Sequence, residues 1–150
     1  MADQAEQTPP DEQAHDYVLD EQIGFLLRKA YQRNAVIFSE KVQTGLTPTQ
    51  FAVMSRLSEI TSVSQNQLGR LVGLDVATTK GVIDRLLGRD LVKSERDPND
   101  RRRQLISLTA EGWAQFLATV PLGHEVTADT LAPLTQAEQK SLARLLKKIT

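Results

Sequence analysis

The chain contains no cysteine among its 150 residues. Disulfide bonds, thiolate metal sites and oxidant sensing through a thiol are therefore excluded. Histidine is almost as scarce, since His15 and His124 are the only two. No Ser/His/Asp spacing and no glycine-rich phosphate loop is present. We expect a protein that is not an enzyme, with no catalytic residues, no metal ligands and no cofactor.

Long hydrophobic runs are also missing. No apolar segment approaches the roughly 20 residues that a membrane-spanning helix needs. The first residues, MADQAEQTPPDEQ, are acidic and polar, whereas a secretory signal is basic and then apolar. We therefore expect a cytoplasmic protein with no membrane partner.

The first part of the chain has no positively charged side chains. Residues 1–22 hold seven acidic residues and neither lysine nor arginine, whereas residues 61–108 hold nine bases against six acids, a net charge of +3. This asymmetry indicates an anionic partner for the middle of the chain, although an ordinary solvated surface also carries such an excess.

Helix-capping signals divide the chain into segments. Residues 1–15 have the composition of a mobile acidic leader, and 16–150 form one domain. A long helical pattern begins near Asp16 and should end near Gly45. Thr47, Pro48 and Gln50 then form a capping-box signature that opens a second helix.

The next segments predict a helix-turn-helix followed by a hairpin. Ser64 opens a short helix that ends near Val72 and Gly73, and Asp75 caps a longer one. Two short alternating runs, 91–96 and 103–108, flank a turn at Pro98. A hairpin directly after a helix-turn-helix makes a winged helix.

Two capping signals predict the C-terminal part of the fold. Thr109 starts a helix that should be perturbed or interrupted around 121–123, and Thr135 with Glu138 opens the last one. The predicted fold class is mainly α with a small β-hairpin wing (α+β).

The side chains of the helix-turn-helix and the wing suit double-stranded DNA. Threonine and lysine at the start of the second helix can reach base edges in the major groove, while amides at the start of the first can meet phosphates. An arginine at a wing tip can enter a minor groove, and Asp100 could pair with Arg102 across the turn. The candidate DNA-binding residues are Gln65, Asn66, Gln67, Val76, Ala77, Thr78, Thr79, Lys80, Arg85, Asp100, Arg101, Arg102 and Arg103. Capping and an ordinary exposed helix face are the alternative roles.

Residues 64–112, with Asp97, Pro98, Asp100, Arg101 and Arg102 in the wing and then LTAEG, resemble the winged-helix core of the MarR (multiple antibiotic resistance regulator) family. The resemblance implies a homodimer that regulates transcription, most simply as a repressor at a pseudo-palindromic operator. It places the DNA-binding lobe at 47–108 and the dimerisation helices at 16–46 and 109–150. A winged-helix protein-interaction module remains the alternative, but it predicts an acidic or neutral wing.

Residues 23–38 are also similar to the first helix of family members that respond to aromatic carboxylic acids or their coenzyme A thioesters. This resemblance implies a small-molecule effector in a cleft between the dimerisation helices and the winged helix. The candidate ligand-binding residues are Phe25, Arg28, Tyr31, Arg33, Met54 and Trp113. A place in the dimer interface or on the surface is the alternative for Arg28, Tyr31 and Arg33.

Overall fold

The computed structural model describes residues 17–150, so the predicted leader at 1–15 lies outside the described residues. A short 3-10 turn at Leu19–Glu21 comes first. The helices are α1 (Ile23–Lys41), α2 (Pro48–Ile60), α3 (Gln65–Val72), α4 (Val76–Gly88), α5 (Ala110–Leu131) and α6 (Gln136–Ile149), and the strands are β1 (Ser62–Ser64), β2 (Val92–Arg96) and β3 (Gln104–Leu108). The predicted class, mainly helical with a small β wing, is confirmed.

The capping residues act as the sequence predicts. Thr47 and Thr135 each form a complete capping box, while Ser64, Asp75 and Thr109 each accept from a backbone N–H in the first turn. Each such bond satisfies one of the N–H groups that a helix start leaves without an intrahelical partner. Local chemistry therefore sets where these helices begin.

The wing belongs to a three-stranded antiparallel sheet of order β1-β3-β2. β2 pairs with β3 from Val92 opposite Leu108 to Arg96 opposite Gln104, as expected for a hairpin. β1 pairs with the other edge of β3, with Val63 opposite Ile106. The sequence analysis missed β1, because three residues with one buried side chain carry no readable alternation.

The hydrophobic core is centred on α2. Val53, Met54 and Leu57 of this helix have no exposed surface, and α3, α4, the sheet and α5 pack around them. Rings of Phe38, Phe51 and Phe116 continue the core between α1, α2 and α5, with centroids 6.0 and 5.7 Å apart. This packing joins the winged helix to the helices on either side of it in sequence.

Three boundary predictions were wrong. α1 begins at Ile23 and not near Asp16, since Gln22 before it is extended and makes no side-chain capping bond. α1 ends at Lys41 and not near Gly45, because the chain leaves the helix to bury Val42 and Leu46 in the core. α5 runs through Pro121 without interruption. Pro121 is on the exposed side of α5, while Gly123 lies against the Phe51 ring, so packing holds the helix together across the residue that would break it in isolation.

α1 and α5 are also joined by polar contacts. Lys41 Nζ lies 2.9 Å from Asp129 and 3.2 Å from Glu125. Hydrogen bonds to these two carboxylates, Asp129 first, raise the pKa of Lys41. Across residues 17–150, no helix combines the length and the apolar character needed to cross a membrane.

Candidate nucleic-acid interface and adjoining cleft

A close helix crossing fixes the angle between α3 and α4. Gly69 packs so tightly on α4 that a Cβ there would lie 2.5 Å from the Thr79 hydroxyl oxygen. The turn between the helices passes through Gly73 in the left-handed conformation (φ +68°), and the N–H of Leu74 donates to the carbonyl of Gly69 at 2.9 Å. The crossing of α3 and α4 is therefore set by the Thr79 side chain, which packs directly on the backbone of Gly69.

The first turn of α4 projects from the fold. Val76 is 69% exposed, and Ala77 and Thr78 beside it are exposed as well. Asp75 caps the turn, accepting from the Thr78 backbone N–H and from the Thr78 hydroxyl, each at 2.8 Å. These hydrogen bonds, the backbone one first, lower the pKa of Asp75. α4 thus presents the end that a recognition helix places against base edges.

The prediction that Thr79 faces DNA needs correction. Thr79 is 1% exposed, and its hydroxyl donates to the carbonyl of Asp75 at 2.7 Å. Its place is the contact with Gly69, since it continues the apolar stripe formed by Val82, Ile83 and Leu86. Lys80 is exposed, but its ammonium is paired with Asp84 one turn further on.

The wing turn is held by aspartates. Asp97 is 8% exposed and its carboxylate accepts from the N–H of Asn99 at 2.8 Å. Asp100 accepts from the backbone N–H of Arg102 at 3.0 Å, so the predicted pairing of Asp100 with the Arg102 guanidinium is wrong. Within residues 17–150 that guanidinium has neither a hydrogen-bond acceptor nor an ion-pair partner, and Arg101 beside it is likewise exposed.

Arg103 ties the wing to α3. Its guanidinium donates to the side-chain carbonyl of Gln67 at 3.3 Å and lies 3.9 Å from the Asp97 carboxylate. The wing and the start of α3 thereby form the two walls of a groove of about 310 Å³, which is lined by Ser64, Gln65, Asn66, Asp100, Arg102, Arg103 and Gln104. Gln65 and Asn66, predicted to contact phosphates, thus lie in the same groove as Arg102, predicted to enter a minor groove.

Arg70 was missed by the sequence analysis. It is exposed on α3 and lines a second groove, of about 220 Å³, between α3 and the start of α4, together with Asn66 and Val76. The signal was available, because Arg70 follows Asn66 by four residues and therefore shares its helix face. Arg85, by contrast, is exposed in the last turn of α4 and lines neither groove.

An open cleft of about 440 Å³ lies between α1 and the helix-turn-helix. All of its lining residues are uncharged: Tyr31, Asn34, Pro48, Thr49, Ala52, Val72, Gly73 and Leu74. The N-terminal end of α2 opens into it; Pro48 has no N–H and that of Gln50 is bonded within the capping box, so the backbone N–H of Thr49 is the one left there to attract negative charge. The cleft therefore joins a partly apolar wall to an anion-attracting helix end.

Only Tyr31 among the predicted ligand-binding residues lines this cleft. Met54 is fully buried in the core and has no surface to offer, so that prediction is corrected. Arg33 instead donates to the carbonyls of Asp129 and Thr130 at the end of α5. Trp113 is half-exposed with its ring edge against Phe116.

Arg28 and Phe25, the remaining predicted ligand-binding residues, lie one turn and nearly two turns before Tyr31 on α1. The Arg28 guanidinium sits over the Phe25 ring, 5.5 Å from its centroid. Because Arg28 precedes Tyr31 by three residues, the two side chains share one face of α1.

The outer faces of α1 and α6 form a large apolar surface. An open, strongly apolar trough of about 420 Å³ runs between them, lined by Ile23, Leu26, Leu27, Ala30, Leu142, Leu145, Leu146, Lys148 and Ile149. Several of these leucines and isoleucines are more than a third exposed, and no residue of α6 is buried. Exposed apolar surfaces of this kind mark association sites.

Comparison with known proteins agrees with this architecture. The model of the MarR family matches residues 46–103. The chain is 35% identical to the HTH-type transcriptional repressor NicR of Pseudomonas putida, over 89% of this chain and 85% of NicR. A crystal structure of a probable transcriptional regulator from Pseudomonas aeruginosa superposes with a TM-score of 0.86 at 46% identity, covering 89% of this chain and 100% of that one.

A further similar structure is BpsR of Bordetella bronchiseptica, whose DNA binding is regulated by 6-hydroxynicotinic acid. It superposes with a TM-score of 0.84 at 37% identity, covering 90% of this chain and 97% of that one. These relatives are regulators of transcription and not enzymes. The chain belongs to the MarR family of transcriptional regulators.

Proposed function

We propose that this protein is a homodimeric repressor that binds a pseudo-palindromic operator and is released by a small aromatic carboxylate or its coenzyme A thioester. One observation carries the DNA-binding part. The exposed first turn of α4, the start of α3 and the free Arg102 guanidinium lie around the same pair of grooves. A winged-helix module for protein partners would not need this arginine-rich tip, which suits the negative potential of a minor groove.

The apolar trough between α1 and α6 supports the dimer. A second copy related by a two-fold axis would cover its exposed leucines, which a lone chain leaves in water. Such a dimer places its two α4 helices about 34 Å apart, one turn of DNA, where they read successive major grooves. The wings then reach the flanking minor grooves.

The cleft beside Tyr31 is the proposed effector site. An aromatic ring can stack near Tyr31 on the apolar wall, and a carboxylate suits the start of α2, where Thr49 offers a hydroxyl and a backbone N–H. Arg28 does not line the cleft, but it shares a face of α1 with Tyr31 and is our candidate for a cation that attracts an anionic effector. Regulation of BpsR by 6-hydroxynicotinic acid, itself an aromatic carboxylate, is consistent with this chemistry.

Release follows from the position of the cleft. Its walls belong to α1, to α2 and to the α3–α4 turn, so a bound ligand separates the dimerisation helices from the recognition helix. A ligand that prefers the wider arrangement shifts the population toward it. Because both half-sites must be in register at once, a shift of a few ångströms in the spacing lowers operator affinity.

Fluorescence anisotropy with duplexes from the DNA upstream of the protein's own gene tests DNA binding. We expect log K to fall linearly with log salt, by about 0.9 per phosphate contact. Salt-independent binding, or no binding, would exclude DNA as the partner.

A thermal-shift screen of phenolic and pyridine carboxylates and their coenzyme A thioesters tests the effector. A true effector at about 100 times its Kd stabilises by roughly 2.7 kcal/mol, which raises Tm by roughly 5–10 °C. It must also release the duplex in the anisotropy assay. Tyr31→Ala should abolish both effects; release by unrelated compounds only would refute the effector class.

A further inference from the structure

The first turn of α4 offers DNA a surface made mainly of methyl groups. Val76 exposes its isopropyl group more than any other large apolar residue of the described chain, and Ala77 exposes a single methyl. Thr78 adds a third apolar group beside them. An exposed valine at the end of a helix adds nothing to folding stability through burial, because its apolar surface stays in water.

Each side-chain donor of this turn has a partner within residues 17–150. The Thr78 hydroxyl donates to one carboxylate oxygen of Asp75 and the Thr78 backbone N–H to the other. The Thr79 hydroxyl is turned inward to the Asp75 carbonyl, and the Lys80 ammonium is paired with Asp84. Among Val76, Ala77 and Thr78, the side-chain surface left toward solvent therefore consists of methyl groups and the lone pairs of the Thr78 oxygen.

Base edges in the major groove differ in how well they fit a surface of methyl groups and a hydrogen-bond acceptor. Guanine shows two acceptors there and is read by donors such as arginine or lysine. Thymine shows a C5-methyl group, and its partner adenine shows an N6 amino donor. A surface of methyl groups and acceptors therefore matches an A·T pair.

We propose that Val76 is a specificity-determining residue that contacts a thymine C5-methyl group in each operator half-site, with Thr78 Oγ1 accepting from the adenine amino group. This inference rests on the proposed DNA-binding function. It assigns to Val76 a role in base selection and to Asp75 the role of positioning the Thr78 hydroxyl.

Selection from a random duplex pool gives the DNA for the test, followed by anisotropy titrations of the selected duplex. We expect an A·T pair at one major-groove position of each half-site. Replacing that thymine with deoxyuridine removes only the methyl group, and we expect a loss of roughly fourfold per half-site and fifteenfold for both. Deoxyuridine in the segments that face the wings is the control and should leave affinity unchanged.

Val76→Ala identifies the residue that makes the contact. Alanine at the first helical position keeps α4 intact. The variant should nevertheless bind the selected duplex more weakly, because the valine methyl groups are gone. Its preference for thymine over deoxyuridine should fall below roughly threefold in a double-mutant cycle of protein and DNA substitutions. Leu71→Ala, which truncates an exposed leucine on the α2 side of α3, should keep the full preference.

The outcomes separate the two levels of the proposal. If no duplex is enriched, the proposed DNA-binding function fails. If duplexes are enriched but thymine and deoxyuridine bind equally at every major-groove position, or if Val76→Ala keeps the full preference, the function stands and the role of Val76 is overturned.

Discussion

Replacing Arg102 with alanine should weaken operator binding without affecting the fold. The Arg102 guanidinium has no partner in the described part of the chain, and the wing turn is held by Asp97 and Asp100 through backbone N–H groups. Nothing that stabilises the turn is lost with the side chain. The effect of Arg102→Ala should therefore appear in DNA affinity and not in Tm.

The magnitude follows from two wings per dimer. One arginine contact with DNA contributes about 1–3 kcal/mol, so removing both costs roughly 2–6 kcal/mol, a loss of at least about thirtyfold in affinity. If the guanidinium also neutralises a phosphate, the slope of log K against log salt decreases by about 0.9 per wing.

Anisotropy titrations at several salt concentrations, with Tm measured in parallel, provide the assay. Arg56→Ala is the matched control, because it removes the same charge from α2, where Arg56 pairs with Glu59 and lines another cleft. Its affinity should change by less than about threefold, the small effect expected of net charge alone. If Arg102→Ala behaves like Arg56→Ala, the assignment of the wing tip to DNA is refuted.

Three further variants test stability and assembly. Gly112→Ala should destabilise the fold by more than about 3 kcal/mol, since a Cβ there would lie 1.9 Å from the Leu91 carbonyl oxygen. Gly88→Ala is the control, because a Cβ at Gly88 meets no atom within 4 Å and should leave the Tm of thermal unfolding nearly unchanged. Equal Tm values for the two variants would show that the backbones at Gly112 and Leu91 separate easily. The pKa of Asp75 lies below its ordinary value of 3.8, so its capping contribution to stability is complete above that pH and is lost as the pH falls further. Asp75→Asn should therefore flatten the acid part of a profile of Tm against pH from 7 to 3. A profile unchanged by the substitution would count against the capping role of Asp75. Leu145→Asp should convert the dimer to monomer in analytical ultracentrifugation, and a persistent dimer would place the interface elsewhere.

The starts of α2 to α6 were predictable because capping acts over three or four residues, whereas α1 has no side-chain cap and starts at Ile23 and not near Asp16. Thr47 with Gln50 and Thr135 with Glu138 form their boxes as read from the sequence. The interruption near Pro121 was wrong for the opposite reason, since contacts with distant residues such as Phe51 hold α5 together.

The residues of the candidate site also fall into those that local sequence could place and those that only distant contacts fix. The helical period could have placed Thr79 inside, since it precedes Val82 and Ile83 by three and four residues, but its polar side chain suggested the surface. Nothing local indicated that Arg103 would reach Gln67, 36 positions away, or that Arg33 would end at the carbonyls of α5. Such contacts depend on how whole helices cross.

The sequence by itself determined the order of the six helices and the β2–β3 hairpin, and with it the winged helix and the arginine-rich turn, because caps, periodicity and turn residues act through neighbours in the chain. Only the tertiary structure decided which polar side chains are free. Within residues 17–150 the Arg102 guanidinium has no partner while Arg103 is held by Gln67 and Asp97, and Val76 is exposed while Thr79 is buried. The physical reason is that exposure and pairing depend on residues that are distant in sequence and meet only when the helices and the sheet pack.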